Sequence, residues 1–268
     1  MQIATEKSSA DKNDRSFKIL IINPNSTVSM TNKIREFATA FKAPNVIVDV
    51  TNPSNTPQSI EGHYDGAMSL RGLLEKVKWG EDNGYDGFII ACFDDTGLDA
   101  CREIATGPVI GICEASVHVA SMIAKSFSIV TTLPRSVPII EDLVYRYGMD
   151  KYCRKVRAAN IEVLSLENDQ QFAQKRILEE INKAIEEDRC ETVILGCAGM
   201  TDLTEWLSQK TGLPVIDGVI AALKLAEGII AAGLKTSKVG GYSKPLPCLL
   251  YTSPSPRDAT LSRMPSSA

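Results

Sequence analysis

Two cysteines end two copies of one short pattern, and they are the residues best placed to do chemistry in this chain. Phe88 to Cys92 is an apolar run that ends in a thiol, and Val193 to Cys197 has the same form. A Pro-Val-Ile segment follows each cysteine at a similar spacing. A duplicated unit of strand, thiol, loop, helix and strand can place two sulfurs on opposite sides of one cleft. Two opposed thiols suit removal of a proton from one face of a carbon and its return to the other.

Each of these thiols leaves a predicted strand and faces the start of a predicted helix. The positive end of a helix favours the thiolate, which is the reactive form of cysteine. Asp94 and Asp95 follow Cys92 and oppose this effect, because nearby carboxylates disfavour a thiolate. We expect Cys92 and Cys197 to be catalytic as a pair.

The remaining cysteines suit structural roles. Seven cysteines are spread through ordinary core-forming segments of a long chain, unlike those of a small disulfide scaffold. The chain has no C-x-x-C pair, and its two histidines lack metal-ligand spacing. A redox relay and a zinc site are therefore disfavoured, and a reducing cytoplasm is the expected location. Four of the cysteines are expected to be small buried hydrophobes: Cys101, Cys113, Cys153 and Cys190.

Polar residues after the first strand of each half are candidate substrate contacts. Asn25 lies in an Asn-Pro-Asn-Ser-Thr loop, and Thr131 and Thr132 occupy the matching place in the second half. Asn and Ser also suit turns and helix caps, which is the simpler interpretation. At a strand-to-helix junction, however, amides and backbone N–H groups can bind a carbonyl or carboxylate.

Further candidates lie in the loops near the expected mouth of the cleft. Glu61 and Glu114 are predicted to orient the substrate, although most such carboxylates are only solvated or capping groups. The loops that follow the two thiols would supply N–H donors to a developing oxyanion. Their candidate substrate-binding residues are Phe93, Asp94, Ala198, Gly199 and Met200.

The composition excludes several classes of partner. The 268 residues are 44% hydrophobic, which is enough apolar mass for a sizeable core. The net charge is −4 and the basic residues are scattered, so neither nucleic acid nor an anionic membrane is expected. No apolar run approaches the roughly 20 residues that a membrane helix needs. The expected partner is a small-molecule substrate.

Strands and helices alternate along the chain, which predicts an α/β fold. The pattern begins at Phe17–Ile22 and restarts at Phe127–Thr132, so we predict two pseudo-symmetric lobes, each a parallel sheet flanked by helices. Lobe 1 is predicted to span 17–110 plus 216–245, and lobe 2 to span 111–215. A helix is predicted over 115–124, with Glu114 in the loop before it. In such sheets ligands bind at the carboxyl ends of the strands, so the active site is expected in the cleft between the lobes.

The sequence resembles the hydantoin/allantoin racemases of the aspartate/glutamate racemase superfamily. The resemblance covers about residues 17–242, and five segments carry it: Ile22–Ser26, Ala91–Leu98, Gly111–Ala115, Val130–Thr132 and Leu195–Met200. It implies two α/β lobes with the active site between them, no cofactor, no metal and a homo-oligomer. It also implies that Cys92 and Cys197 are the two acid/base residues. Thr96 stands where many relatives have proline, a departure expected to leave the thiol chemistry untouched.

The implied substrate has a carbon–hydrogen bond next to a ring carbonyl, as in a 5-substituted hydantoin or allantoin. One alternative is an amino-acid racemase for aspartate or glutamate, or a related isomerase or decarboxylase. An α-carboxylate would favour a cationic partner, and the sequence places no Lys or Arg beside either cysteine loop except Arg135, after the second-half strand. A neutral cyclic ureide is therefore favoured. Another alternative, a two-lobed sensor without catalysis, would not require paired thiols.

The two ends of the chain are predicted to lie outside the fold. Residues 1–16 are polar and are predicted to form a disordered tail. The segment Cys248–Asp258 can be encoded by the sequence of a transposon-type sequencing adapter, and Ser262–Ala268 matches the flow-cell end of that adapter. We hypothesise that 248–268 is an adapter-derived, non-native tail; the alternative is a natural Pro/Ser-rich tail.

Resequencing of the source DNA across codons 240–268 tests this hypothesis directly. We expect a natural continuation that diverges from the present sequence near residue 248, because adapter read-through replaces whatever follows the junction. Recovery of the same codons from independently prepared genomic DNA would refute it.

Overall fold

The computed structural model describes residues 16–246 and contains two parallel sheets of four strands each. The predicted α/β fold with two lobes is confirmed. The first sheet has the order β2-β1-β3-β4, formed by β1 (Phe17–Ile22), β2 (Val46–Thr51), β3 (Gly87–Ile90) and β4 (Val109–Gly111). The second has the order β6-β5-β7-β8, formed by β5 (Phe127–Thr131), β6 (Cys153–Ala158), β7 (Thr192–Leu195) and β8 (Val215–Ile216). The predicted tail at 248–268 and all but the last residue of the predicted tail at 1–16 lie outside the described residues.

Helices connect the parallel strands, as parallel pairing requires. In chain order they are α1 (Val28–Phe41), α2 (His63–Asp82), α3 (Leu98–Ile104), α4 (Ile112–Ile123), α5 (Val137–Arg146), α6 (Ser165–Asn168), α7 (Gln170–Lys183), α8 (Thr204–Thr211) and α9 (Gly218–Ala231). Two short 3₁₀ turns, Pro134–Ser136 and Ala198–Leu203, lie at the carboxyl ends of β5 and β7. Within residues 16–246 no helix combines the length and the apolar character needed to cross a bilayer.

The two sheets share one hydrophobic core. Ile19 and Ile89 of the first sheet belong to the same buried cluster as Ile129 and Ile194 of the second. Helices α4 and α9 pack against each other; α4 also contacts β7, and α9 also contacts β3 and β4. Helix α4 therefore packs on the second sheet and α9 packs on the first, which fixes the two sheets relative to each other. Ile216 pairs with Ile194, so the second sheet extends one residue past the boundary predicted for lobe 2.

Helix α4 begins three residues earlier than predicted because Asp95 caps its first turn. The Asp95 carboxylate accepts hydrogen bonds from the backbone N–H groups of Cys113 and Glu114 at 3.1 and 2.9 Å. These are two of the N–H groups that a helix start leaves without an internal partner. A Cβ atom on Gly111 would lie 2.3 Å from this carboxylate, so the cap requires glycine there. Glu114 consequently lies in a helix and not in a loop.

A buried ion-pair cluster fixes the edge of the second sheet. The Arg157 guanidinium donates to the Asp188 carboxylate at 2.6 and 2.7 Å, and both side chains are almost fully buried. Ser128 donates to the same carboxylate at 3.0 Å. Burial alone would raise the pKa of Asp188, but the hydrogen bonds from Arg157 and Ser128 hold that pKa below its usual value. The Asp188 carboxylate therefore stays charged at neutral pH, and its burial is stable only because Arg157 neutralises that charge.

We predict that Arg157→Met lowers the free energy of unfolding by about 3–5 kcal/mol at pH 7, because it leaves a buried carboxylate without its cation. Urea denaturation with an unchanged m-value measures this loss. The stabilisation requires a charged carboxylate, so the difference from wild type should shrink as the pH falls through the lowered pKa of Asp188.

Lys78→Met is the matched control, since Lys78 forms an exposed helical pair with Asp82. Its effect should stay below about 0.5 kcal/mol. Equal losses in the two variants would contradict the assignment of a stabilising buried cluster.

Candidate active site

The two predicted thiols leave the two sheets at equivalent positions. Beyond the end of β3, the Ala91 N–H still donates to the Ile22 carbonyl at 2.8 Å. Beyond the end of β7, the Gly196 N–H donates to the Val130 carbonyl at the same distance. The next residue in each case is a cysteine whose neighbour strand, β1 or β5, ends beside it. Cys92 and Cys197 are therefore presented from equivalent strand ends in the two lobes.

Both cysteines line one cavity between the lobes. The cavity is narrow, with a volume of about 30 Å³, and it is partly open to solvent.

Each sulfur is contacted by the backbone N–H group two residues further along the chain. The Gly199 N–H donates to the Cys197 sulfur at 3.4 Å, and the Asp94 N–H bonds to the Cys92 sulfur. The Thr96 hydroxyl adds a contact of 3.6 Å to the Cys92 sulfur. Thr96 thus contacts the thiol that it was expected to leave untouched, and this hydroxyl lowers the pKa of Cys92.

Burial dominates the ionisation of both thiols. It raises the pKa of Cys197 to about 11, with the Gly199 N–H and Lys33 lowering it and Asp94 and Glu61 raising it further. It raises the pKa of Cys92 well above its usual value, and the Asp94 carboxylate and a Cys197 thiolate add to that rise. The backbone donors only moderate the cost of burial, so burial outweighs the favourable effect expected from the helix starts. The mutual effect of the sulfurs also places them within electrostatic reach of each other.

Asp94 is the carboxylate inside the cavity. Burial raises its pKa to about 6, with His63 lowering it and Asp65 raising it. Above that pH Asp94 is charged and disfavours ionisation of both thiols.

Six of the predicted substrate contacts line the same cavity: Asn25, Phe93, Asp94, Thr131, Thr132 and Ala198. The side-chain oxygen of Asn25 accepts from the Asn23 side-chain amide and from the Thr27 backbone N–H at 2.8 and 3.0 Å. The side-chain nitrogen of Asn25 contacts only the Met30 sulfur, at 3.4 Å, among the partners described for it. This weak contact leaves the Asn25 amide as a donor that a carbonyl in the cavity can recruit.

Four predicted contacts lie outside the cavity lining. Glu114 forms an ion pair with Arg102 on α3, so the structure does not bring it to the cleft. Met200 is fully buried in the core of the second lobe. Gly199 donates its N–H to the Cys197 sulfur but is not part of the lining. The Glu61 carboxylate accepts from the Val163 N–H at 3.0 Å and thereby joins the two lobes beside the cavity.

Six lining residues escaped the sequence analysis: Met30, Ile60, Ala91, Ser136, Val163 and Gly196. Ala91 and Gly196 directly precede the two cysteines, so their place in the sequence could have predicted that they line the cavity. Val163 follows β6 at the carboxyl end of the second sheet, where ligands bind. Met30 and Ile60 reach the cavity through tertiary packing, for which the local sequence carries no signal.

A cation does lie beside one cysteine loop, contrary to the sequence-based argument. The Lys33 ammonium group donates to the Gly199 carbonyl and to the Asp202 carboxylate, both at 3.4 Å. Lys33 is far from Cys197 in sequence and was therefore missed. Within residues 16–246 the cavity lining nevertheless contains neither lysine nor arginine, and no cluster of three or more potential metal ligands occurs.

Comparisons with known proteins agree with this architecture. Residues 19–226 match the family model described as Asp/Glu/Hydantoin racemase. A hydantoin racemase of Rhizobium meliloti is 54% identical over 227 residues, which cover 85% of this chain and 94% of that protein. The solved structure of an allantoin racemase from Klebsiella pneumoniae has a TM-score of 0.85 at 42% identity, covering 87% and 95% of the two chains. An allantoin racemase structure from Pseudomonas fluorescens gives 0.84 at 36% identity, covering 87% and 98%.

We predict that alkylation of Cys197 by iodoacetamide accelerates about tenfold per pH unit between pH 7 and 9, because only the thiolate reacts and its pKa is raised by burial. Mass spectrometry of quenched samples gives the rate at each cysteine. Cys101 is sealed in the core and serves as the unreactive internal control. A rate that levels off near pH 7 would contradict the assigned environment.

Proposed function

The chain belongs to the Asp/Glu/hydantoin racemase family and is an isomerase, and we propose that it racemises a cyclic ureide with Cys92 and Cys197 as the two acid/base groups. The substrate class is a 5-substituted hydantoin or allantoin, as the names of the similar proteins suggest. The observation that carries the mechanism is the convergence of two equivalent cysteines, one from each lobe, on one cavity. Each sulfur also has a backbone N–H donor two residues further on.

The proposed reaction moves one proton at a time across a planar ring carbon. One sulfur, as thiolate, takes the proton from the carbon next to the ring carbonyl, and the electron pair of the broken bond moves toward the carbonyl oxygen. The other sulfur, as thiol, then gives its proton to the opposite face of that carbon. Each sulfur must approach the carbon to about 3–3.5 Å, so the two should lie on the order of 7 Å apart with substrate bound.

The developing oxyanion needs a donor that is not already committed. The Gly199 and Asp94 N–H groups bond to the sulfurs and are not free for this role. Asn25 lines the cavity and its side-chain amide has only a weak sulfur contact among the partners described for it, so it is the preferred donor to the enolate oxygen. Loss of one such donor typically costs about 2.7–4 kcal/mol of barrier height.

The charges of the cavity favour a neutral ring over an amino acid. No lysine or arginine lines the cavity within the described residues, and the Lys33 ammonium group is already bonded to Gly199 and Asp202. The Asp94 carboxylate in the wall would repel a substrate carboxylate. A ureide ring places no full charge beside it.

We predict that Cys92→Ser and Cys197→Ser each reduce racemisation of a hydantoin or allantoin by at least about 10³-fold, because one of the two acid/base groups is lost. Chiral chromatography measures the racemisation. In D₂O each variant should retain deuterium uptake at the ring carbon of one enantiomer only, and the two variants should select opposite enantiomers.

Cys153→Ser is the control, since Cys153 is half-buried at the start of β6 and does not line the cavity. It should racemise and exchange like wild type. Racemisation at the wild-type rate in both active-site variants would end the two-thiol proposal. Wild-type protein that exchanges no deuterium into any ureide would end the substrate assignment.

A further inference from the structure

Lys33 reaches from the first lobe to the loop that follows Cys197 in the second lobe. It lies on α1, one turn after Met30, which lines the cavity. Its ammonium group contacts the Gly199 carbonyl and pairs with the Asp202 carboxylate at 3.3 Å. Gly199 is also the residue whose N–H donates to the Cys197 sulfur. One cation is therefore linked to one thiol through a single residue.

The Lys33–Asp202 pair is shielded enough for its charge to matter. The two side chains are 20% and 19% exposed, so water screens them much less than it screens an ordinary surface pair. Gln170 also donates to Asp202, at 3.1 Å, and so helps to fix the carboxylate. The ammonium group is held by that carboxylate and by the Gly199 carbonyl.

The charged and titratable groups around Cys197 come from several elements. Lys33 on α1 favours its thiolate, whereas Asp94 after β3 and Glu61 before α2 disfavour it. Asp202 lies in the 3₁₀ turn of the same loop, and the buried Asp217 caps the neighbouring α9. Cys92 faces the same cavity. Among these groups Lys33 is the only cation.

Within residues 16–246, no cation is among the groups that act most strongly on Cys92. The charged group with the largest effect on it is the Asp94 carboxylate, and the Thr96 hydroxyl and the Asp94 N–H are its polar partners. The two loops therefore differ in charge: Lys33 acts on Cys197, whereas the Asp94 carboxylate acts on both thiols.

We propose that Lys33 is a positioning residue that holds the Gly199 loop against Cys197 and, through its charge, makes Cys197 the thiol that ionises first in the free enzyme. The assignment of these thiols as acid and base rests on the proposed function. The consequence for catalysis is directional. Free enzyme with its thiolate on Cys197 can react with the enantiomer whose ring hydrogen points at Cys197. The other enantiomer reacts only after a proton has moved from the Cys92 thiol to Cys197.

The test compares Lys33→Met, Lys33→Arg and Asp202→Asn by alkylation with iodoacetamide across pH 7–10, read at each cysteine by mass spectrometry. We expect Lys33→Met to slow Cys197 alkylation at pH 8 by about 3- to 10-fold, because a partly screened positive charge is lost near a thiolate. Lys33→Arg should restore most of the rate. Asp202→Asn keeps the cation and removes its anion, so Cys197 should react at least as fast as in wild type.

These variants distinguish an electrostatic effect of Lys33 on Cys197 from a purely structural role in holding the Gly199 loop. If Lys33 only braces the loop, Lys33→Met and Asp202→Asn will change Cys197 alkylation in the same way and the proposal fails. Unchanged alkylation in Lys33→Met also overturns it. Should Lys33→Met unfold, Lys33→Gln replaces it, and slower Cys197 alkylation in Asp202→Asn remains a contradiction on its own.

Failure of this proposal is distinguishable from failure of the proposed function. The alkylation assay needs no substrate, so it reports on Lys33 whether or not the protein racemises a ureide. Deuterium uptake from D₂O by wild type and Lys33→Met then tests the link to catalysis. We expect the two enantiomers to differ less in KM in Lys33→Met than in wild type, and an unchanged KM ratio would contradict the directional role.

Discussion

The proposed mechanism depends on two half-buried thiols that line one cavity, each of which would carry a negative charge in turn. Burial opposes that charge and raises the pKa of both thiols. Two parallel strands, β3 and β7, end at the same cleft, and each presents a cysteine followed by a loop that turns an N–H group back to the sulfur. The duplicated fold thus supplies each sulfur with one backbone N–H donor that offsets part of the cost of burying a thiolate.

Contacts between the lobes hold the two cysteine loops in place. The proposed two-thiol mechanism would need this, because both sulfurs must keep a fixed distance from one carbon. Tyr147 of the second lobe donates to Asp95 of the Cys92 loop at 2.7 Å. Lys33 of the first lobe contacts the Cys197 loop, and Glu61 bonds to Val163. Each cysteine loop is therefore held by a residue of the opposite lobe.

Much of the fold and part of the site were predictable from local sequence. The apolar runs before Cys92 and Cys197 have the composition of buried parallel strands, and the parallel α/β pattern fixes which strand ends face the cleft. The early start of α4 was not predictable, because it depends on Asp95, which reaches the helix only after folding. The same limit explains why Glu114 was predicted to lie in a loop and why Met30 was not predicted to line the cavity. Lys33 is the clearest example of this limit, since no sequence spacing indicates that its side chain contacts a loop of the other lobe.

The central claim is that the two sulfurs face one carbon from opposite sides. The most direct measurement is a crystal structure of the protein with a planar five-membered cyclic ureide whose reacting ring carbon carries no hydrogen. Both sulfurs should lie within about 3–4 Å of that carbon, one above the ring plane and one below it. A complex in which both sulfurs lie on the same face, or in which only one reaches the ring, would contradict it.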